Sequence, residues 1–163
     1  MHLIKQSKGD IRMKAVIMSD SHKNFQSIID IMTQEADADL IIHAGDVHKD
    51  VEDIGDAYPE YKLEYVLGNN DFYVQAPYNR VFTFGGKTVF LTHGHEYSVK
   101  RSLIRLKQKA QEIGANICVF GHTHQSMIEE QDGILFINPG STRSTYAVLQ
   151  IENGEVNAEI KER

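Results

Sequence analysis

Apolar residues recur along this chain with two different spacings, and the spacing assigns the elements. Lys14–Met18 is apolar and β-branched at its centre and predicts a buried strand. Asn24 then has the character of an N-cap for a helix running to about Glu35, with Phe25, Ile28, Ile29 and Met32 turned inward. Leu40–Ala44 predicts a second strand, followed by a short acidic stretch, helix or loop, and Tyr61–Leu67 a third strand. Arg80–Phe84 and Lys87–Thr92 flank Gly85-Gly86, a hairpin signal. Ser98 to Ile113 predicts the longest helix, with an imperfect stripe of Leu103, Ile104, Leu106 and Ile113 and with Gly114 as its C-cap. Asn116–Phe120 follows as a strand. Turns at Asp132-Gly133 and Asn153-Gly154 then organise an antiparallel set of Ser126–Glu130, Ile134–Asn138, Tyr146–Ile151 and Glu155–Ile160. Strand and helix alternate in the front half, and strands joined by short turns fill the back half. That order favours an α/β sandwich of mixed sheets over a purely parallel doubly wound sheet.

Composition narrows the class without changing that picture. A chain of 163 residues with 41% hydrophobic and 25% charged residues is sized for one globular domain. Patterning begins near Met13, so residues 13–163 are expected to form the domain and residues 1–12 an extension or tail. No apolar run approaches the roughly 18 residues of a membrane span, and the N-terminus lacks the apolar stretch of a secretory signal. The single Cys118 has no partner within the chain, which excludes an internal disulfide and favours a cytoplasmic location. The net charge is −6, and the one basic run, Lys100 to Lys109, fits a solvated helix face better than a nucleic-acid patch.

Candidate chemistry lies where the apolar runs stop. AVIM leads into Ser19-Asp20-Ser21-His22, LIIHA into Gly45-Asp46, and YVL into Gly68-Asn69-Asn70-Asp71. VFLT leads into His93-Gly94-His95 and ICVF into Gly121-His122-Thr123-His124. Each cluster alone is ordinary turn or loop chemistry. Five of them, all after strands, would converge on the crevice at the carboxyl ends of an α/β sheet. Carboxylate and imidazole without thiolate suit hard to borderline divalent cations. Asp20 and His22 are two apart, as are His122 and His124, so extended segments would point each pair to one side. His43, inside LIIHA, is expected to be a hydrogen-bonded core histidine, and His48, in HKDVED, a surface residue.

The ordered set Asp20-x-His22, Gly45-Asp46, Gly68-Asn69-x-Asp71, His93-Gly94-His95 and Gly121-His122-x-His124 resembles the calcineurin-like metallophosphoesterase superfamily. It is most similar to the small single-domain phosphodiesterases of bacteria and archaea, and Asn138-Pro139-Gly140-Ser141 adds to the likeness. The resemblance implies a four-layer αββα sandwich of two mixed β-sheets flanked by helices. It implies two divalent ions, manganese first, with nickel, iron, zinc or cobalt as alternatives. Asp20, His22 and His124 would hold one ion, Asn69, His93 and His122 the other, and Asp46 both. Asp71 would orient a ligand. His95 would touch the phosphate or leaving group, or else orient a ligand. Many members carry a histidine after the ligand asparagine, where this chain has Asn70, whose amide does not titrate near neutral pH. That departure argues against a phosphoprotein phosphatase. The implied activity is hydrolysis of a small phosphodiester. The alternatives are a phosphomonoesterase, a nuclease acting on ends, or a non-catalytic assembly scaffold like the superfamily's retromer subunit. Phe72, Tyr73 and Tyr78 mark either a homo-oligomer interface or the rim of the site.

Overall fold

The computed structural model describes residues 12–163, and the expected tail falls outside the described residues except for Arg12, which opens the first strand. In chain order the strands are β1 (Arg12–Met18), β2 (Leu40–His43), β3 (Lys62–Tyr65), β4 (Asn79–Phe84), β5 (Lys87–Thr92) and β6 (Ile117–Val119). They continue with β7 (Met127–Gln131), β8 (Ile134–Asn138), β9 (Thr145–Glu152) and β10 (Glu155–Glu162). The helices are α1 (Phe25–Gln34), α2 (His48–Ala57) and α3 (Ile104–Ile113), with a short 3₁₀ turn over His95–Tyr97. None of these helices is long and apolar enough to cross a membrane.

Local chemistry explains most boundaries. The Asn24 side chain accepts a hydrogen bond from the Ser27 N–H and opens α1. Gly114, at φ 77°, closes α3 in the left-handed region. Each of the turns Gly85-Gly86, Asp132-Gly133 and Asn153-Gly154 has positive φ at both residues, the geometry whose twist suits a two-residue hairpin.

Two five-stranded mixed sheets result, ordered β10-β9-β1-β2-β3 and β4-β5-β6-β8-β7. Ala15, Ile17, Ile42, Leu91, Val119 and Leu149 meet between the sheets in a continuous apolar layer. The outer face of the first sheet carries Val16, Ile41 and Val148 against Ile28, Ile31 and Met32 of α1 and Ile54 of α2. The outer face of the second carries Phe90, Cys118 and Phe136 against Leu106 and Ala110 of α3. Helix, sheet, sheet and helix thus make the four layers of the expected αββα sandwich.

Four details differ from the sequence reading. α3 starts at Ile104, six residues after Ser98, because the segment after the 3₁₀ turn folds into turns with Ser98 at φ 55°. Its buried stripe holds Leu106 and Ala110, while Ile104 is 65% exposed, more than a third of a turn round the helix from that stripe. In α1 the buried position is Ile31 and Ile29 is only half-buried. The last four strands are not one set: β7–β8 joins the second sheet through a parallel β6–β8 pairing, and β9–β10 joins the first through β1.

Candidate metal centre

β1, β2 and β3 run parallel in the first sheet, and β5, β6 and β8 in the second. Their carboxyl ends bring all five clusters together. One ligand atom each from Asp20, His22 and His124 lie within 4.8 Å of one another, and so do atoms of Asp20, Asp46 and His93. The His22 Nε2 is 3.5 Å from Asp46 Oδ2, and the His93 Nε2 is 3.8 Å from Asp20 Oδ1. His122 stacks edge-on to His93 with ring centroids 5.0 Å apart, and Asn69 Oδ1 is 3.0 Å from His93 Nε2. Asp20, Asp46 and His93 are buried, His22 and His122 half-buried, and Asn69 and His124 open to solvent.

The route to this geometry is not the extended one the spacing suggested. Asp20, His22, His122 and His124 have φ of 54°, 46°, 71° and 62°. The chain turns sharply as it leaves each strand, and side chains two apart converge because of that turn. Left-handed non-glycine residues are costly and collect at functional sites. Two glycines make room. A Cβ on Gly68 would stand 2.7 Å from Asp46 Oδ1, and one on Gly121 would stand 2.1 Å from Ser19 Oγ.

Several side chains fix the ligands. The Asp71 carboxylate accepts from the Gly68 and His48 N–H groups, tying the β3 loop to the start of α2. Asn70 donates to Asp46 twice, from its backbone N–H at 3.0 Å and from its side-chain amide at 2.5 Å. Asn138 donates to the Gly121 carbonyl and Thr123 Oγ1, and Ser141 Oγ donates to the Asp20 carbonyl. The Asn-Pro-Gly-Ser run thereby clasps two of the five clusters. Sequence reasoning assigned no role to Ser19, Ser21, Asp50 or Asn138; only the Asn-Pro-Gly-Ser resemblance pointed at the last.

The donor set suits a divalent cation by three observations. Asp20 Oδ1 and His22 Nε2 are buried without a hydrogen-bond partner among the described residues. That oxygen faces three imidazole nitrogens, of His124, His22 and His93, at 3.3, 3.7 and 3.8 Å. His93 Nδ1 lies 2.7 Å from the Ala44 carbonyl, so it carries the proton and donates, which leaves Nε2 facing Asn69 Oδ1 as acceptor against acceptor. A cation between them, or a turn of the Asn69 amide that presents its NH2 group, resolves that clash. Burial and the neighbouring His93, with Lys100 beyond, push the His122 pKa down to about 4 against the pull of Asp20. His122 is therefore neutral at pH 7, the form that ligates metal.

His95 sits beside this group, 5.5 Å from His93 and 6.1 Å from His122 between ring centroids, with Tyr78 edge-on at 5.6 Å. Burial and His93 lower its pKa too. His43 is fully buried and hydrogen-bonded, with burial pushing its pKa down to about 4. His48 is not the surface residue expected: its ring packs on Tyr65 at 5.7 Å, and its Nδ1 is enclosed without a partner among the described residues.

The model of the calcineurin-like phosphoesterase superfamily domain matches residues 13–154. The chain belongs to that superfamily. A probable metallophosphoesterase of Bacillus subtilis (strain 168) is 36% identical over 149 residues, covering 86% of each chain. A phosphodiesterase of Methanocaldococcus jannaschii is 29% identical over 150 residues, 78% of this chain and 83% of that one. The vacuolar protein sorting 29 of Cryptosporidium parvum shares the fold, with a TM-score of 0.75 over 94% of this chain and 99% of its own, at 17% identity. Its family is thus that of the metallophosphoesterases, and candidate metal-binding residues gather at one end of its sheets.

Proposed function

We propose that the chain hydrolyses a small phosphodiester with two divalent cations, manganese first as the family resemblance implies, with nickel, iron, zinc or cobalt also compatible with the imidazole and carboxylate donors. The observation that carries this reading is the orphaned, buried Asp20 Oδ1 facing three imidazole nitrogens. Asp20, His22 and His124 would hold one ion, Asn69, His93 and His122 the other, with Asp46 between. A pair of such ions, when bound, supplies Lewis acidity at the phosphoryl oxygens and a more acidic water.

The protein's own groups set the rest. Two ligand carboxylates cannot neutralise two divalent ions, so the pocket attracts an anion although the chain carries −6 overall. His95, whose pKa is lowered by burial and by His93, would hydrogen-bond a phosphate oxygen or the leaving oxygen. Asn70 cannot serve as an acid and instead holds the Asp46 carboxylate from two sides. A groove of about 450 Å³, lined by Lys23, Lys49, Asn70 and Phe72, opens beside it and leaves space for an ester substituent. The Methanocaldococcus phosphodiesterase supports diester over monoester. The exposed Phe72 and Tyr73 then belong to the rim of the site rather than to a homo-oligomer interface.

The manganese-loaded chain is expected to cleave a bis-aryl phosphate faster than a mono-aryl one. Equal or reversed preference overturns the diester assignment, and no cleavage of either with metal bound favours a scaffold.

A further inference from the structure

Behind the metal-facing residues lies a closed line of buried polar groups. The Gly45 N–H points at His43 Nδ1 at 3.1 Å. A backbone N–H can only donate, so Nδ1 accepts and the ring proton of the neutral imidazole sits on Nε2. That nitrogen is 3.0 Å from Ser21 Oγ and donates to it. The Ser21 hydroxyl in turn donates to Asp50 Oδ2 at 2.6 Å, and the Lys23 N–H donates to the same oxygen at 2.9 Å. Every proton in this line has one direction it can take. His43, Ser21 and Asp50 are all at most 1% exposed.

The line joins three elements. Ser21 stands between Asp20 and His22, Gly45 stands next to Asp46, and Asp50 belongs to the first turn of α2. Asp20 and His22 both occupy left-handed backbone, which does not persist unless its surroundings enforce it. We infer that His43 is a positioning residue: with Ser21 and Asp50 it locks the Asp20–His22 turn against the Gly45–Asp46 turn and so sets the spacing of the metal-facing side chains on the first sheet. This rests on the metal-centre reading above. His43 touches neither ion nor substrate. The Asp20 N–H and the Ser19 hydroxyl also donate to the Gly45 carbonyl, so removing His43 leaves the turns joined on that side alone and loosens the Ser21 side; partners that orient metal ligands typically change metal affinity 10–100-fold.

The test is manganese affinity of the metal-free full chain, measured by calorimetric titration at a temperature where circular dichroism shows each variant folded. His43→Ala and Ser21→Ala are each expected to weaken binding about 10–100-fold, and the double variant by no more than the larger single loss. His43→Gln, which keeps an amide donor toward Ser21, is expected to recover part of the affinity. A folded His43→Ala chain that binds manganese as tightly as the parent overturns the inference, because a merely structural histidine lowers the melting temperature and leaves affinity alone. Should His43→Ala not fold, Ser21→Ala and Asp50→Asn decide, and unchanged affinity in both overturns it. A parent chain that binds no manganese overturns the metal reading and this inference with it; a parent that binds beside variants that bind equally overturns this inference alone.

Discussion

Glu35 closes α1 and Asp20 follows β1, and each carboxylate is 1% exposed. Glu35 is surrounded by donors: the Lys14 Nζ at 2.8 Å, the Lys161 Nζ at 2.7 Å and the Tyr146 hydroxyl at 2.5 Å. Burial alone would raise its pKa, but these three partners outweigh it and hold the group at about 2. Asp20 has the Ser19 hydroxyl and the His122 N–H near Oδ2, and among the described residues nothing on Oδ1 except imidazole nitrogens at 3.3 to 3.8 Å. Fully paired, a buried charge supports the fold, whereas an unpaired one destabilises it unless something else arrives to share the charge. Glu35 has its cations built in. Asp20 waits for one.

The contrast can be broken by substitution. The largest effect is expected from Asp46→Asn, which removes the charge shared between the two halves of the site: kcat/KM falls about 10³-fold, roughly 4 kcal/mol, in steady-state assays with manganese. Next is Glu35→Gln, which leaves Lys14 with Asp37 alone, removes the carboxylate from Lys161 and lowers stability by roughly 3 kcal/mol at pH 7 in denaturant melts, with kcat/KM unchanged. This effect carries a pH signature. Folding lowers the Glu35 pKa from 4.5 to about 2, so the folded chain binds fewer protons than the unfolded one between those values. The advantage over Glu35→Gln is complete above about pH 4.5 and disappears as the pH falls toward 2. A gap between the two melting curves that persists at pH 2 contradicts the assignment.

Metal addition gives a smaller, opposite signal. Manganese at a hundred times the dissociation constant of the ion held by Asp20, His22 and His124 is expected to stabilise the parent by about 2.7 kcal/mol more than it stabilises Asp20→Asn in thermal melts. The smallest effect sharpens the contrast most. Without metal, Asp20→Asn is expected to melt within about 1 kcal/mol of the parent or above it, because it removes an unpaired buried charge. A large loss there would make Asp20 a second Glu35.

Much of this was legible in the sequence because the signals are local. Gly85-Gly86, Asp132-Gly133 and Asn153-Gly154 dictate their hairpins whatever surrounds them. Asp20, and Asp46, His93 and His122 with their neighbouring glycines, stand wherever an apolar run ends. What depended on distant partners was not legible. The β7–β8 and β9–β10 hairpins look alike in sequence, yet they join different sheets because of what their faces meet in the folded chain. The left-handed turns at Asp20 and His122 have no sequence mark, since neither residue is glycine. Ser21 and Asp50 resemble solvent-facing loop residues until His43 is seen between them and Gly45.

Calorimetric titration of the metal-free chain with manganese tests the centre most directly. The parent is expected to take up two ions per chain, and Asp46→Asn to lose both together because each half of the site leans on that carboxylate. No uptake by the parent, or full uptake by Asp46→Asn, would contradict the two-ion site.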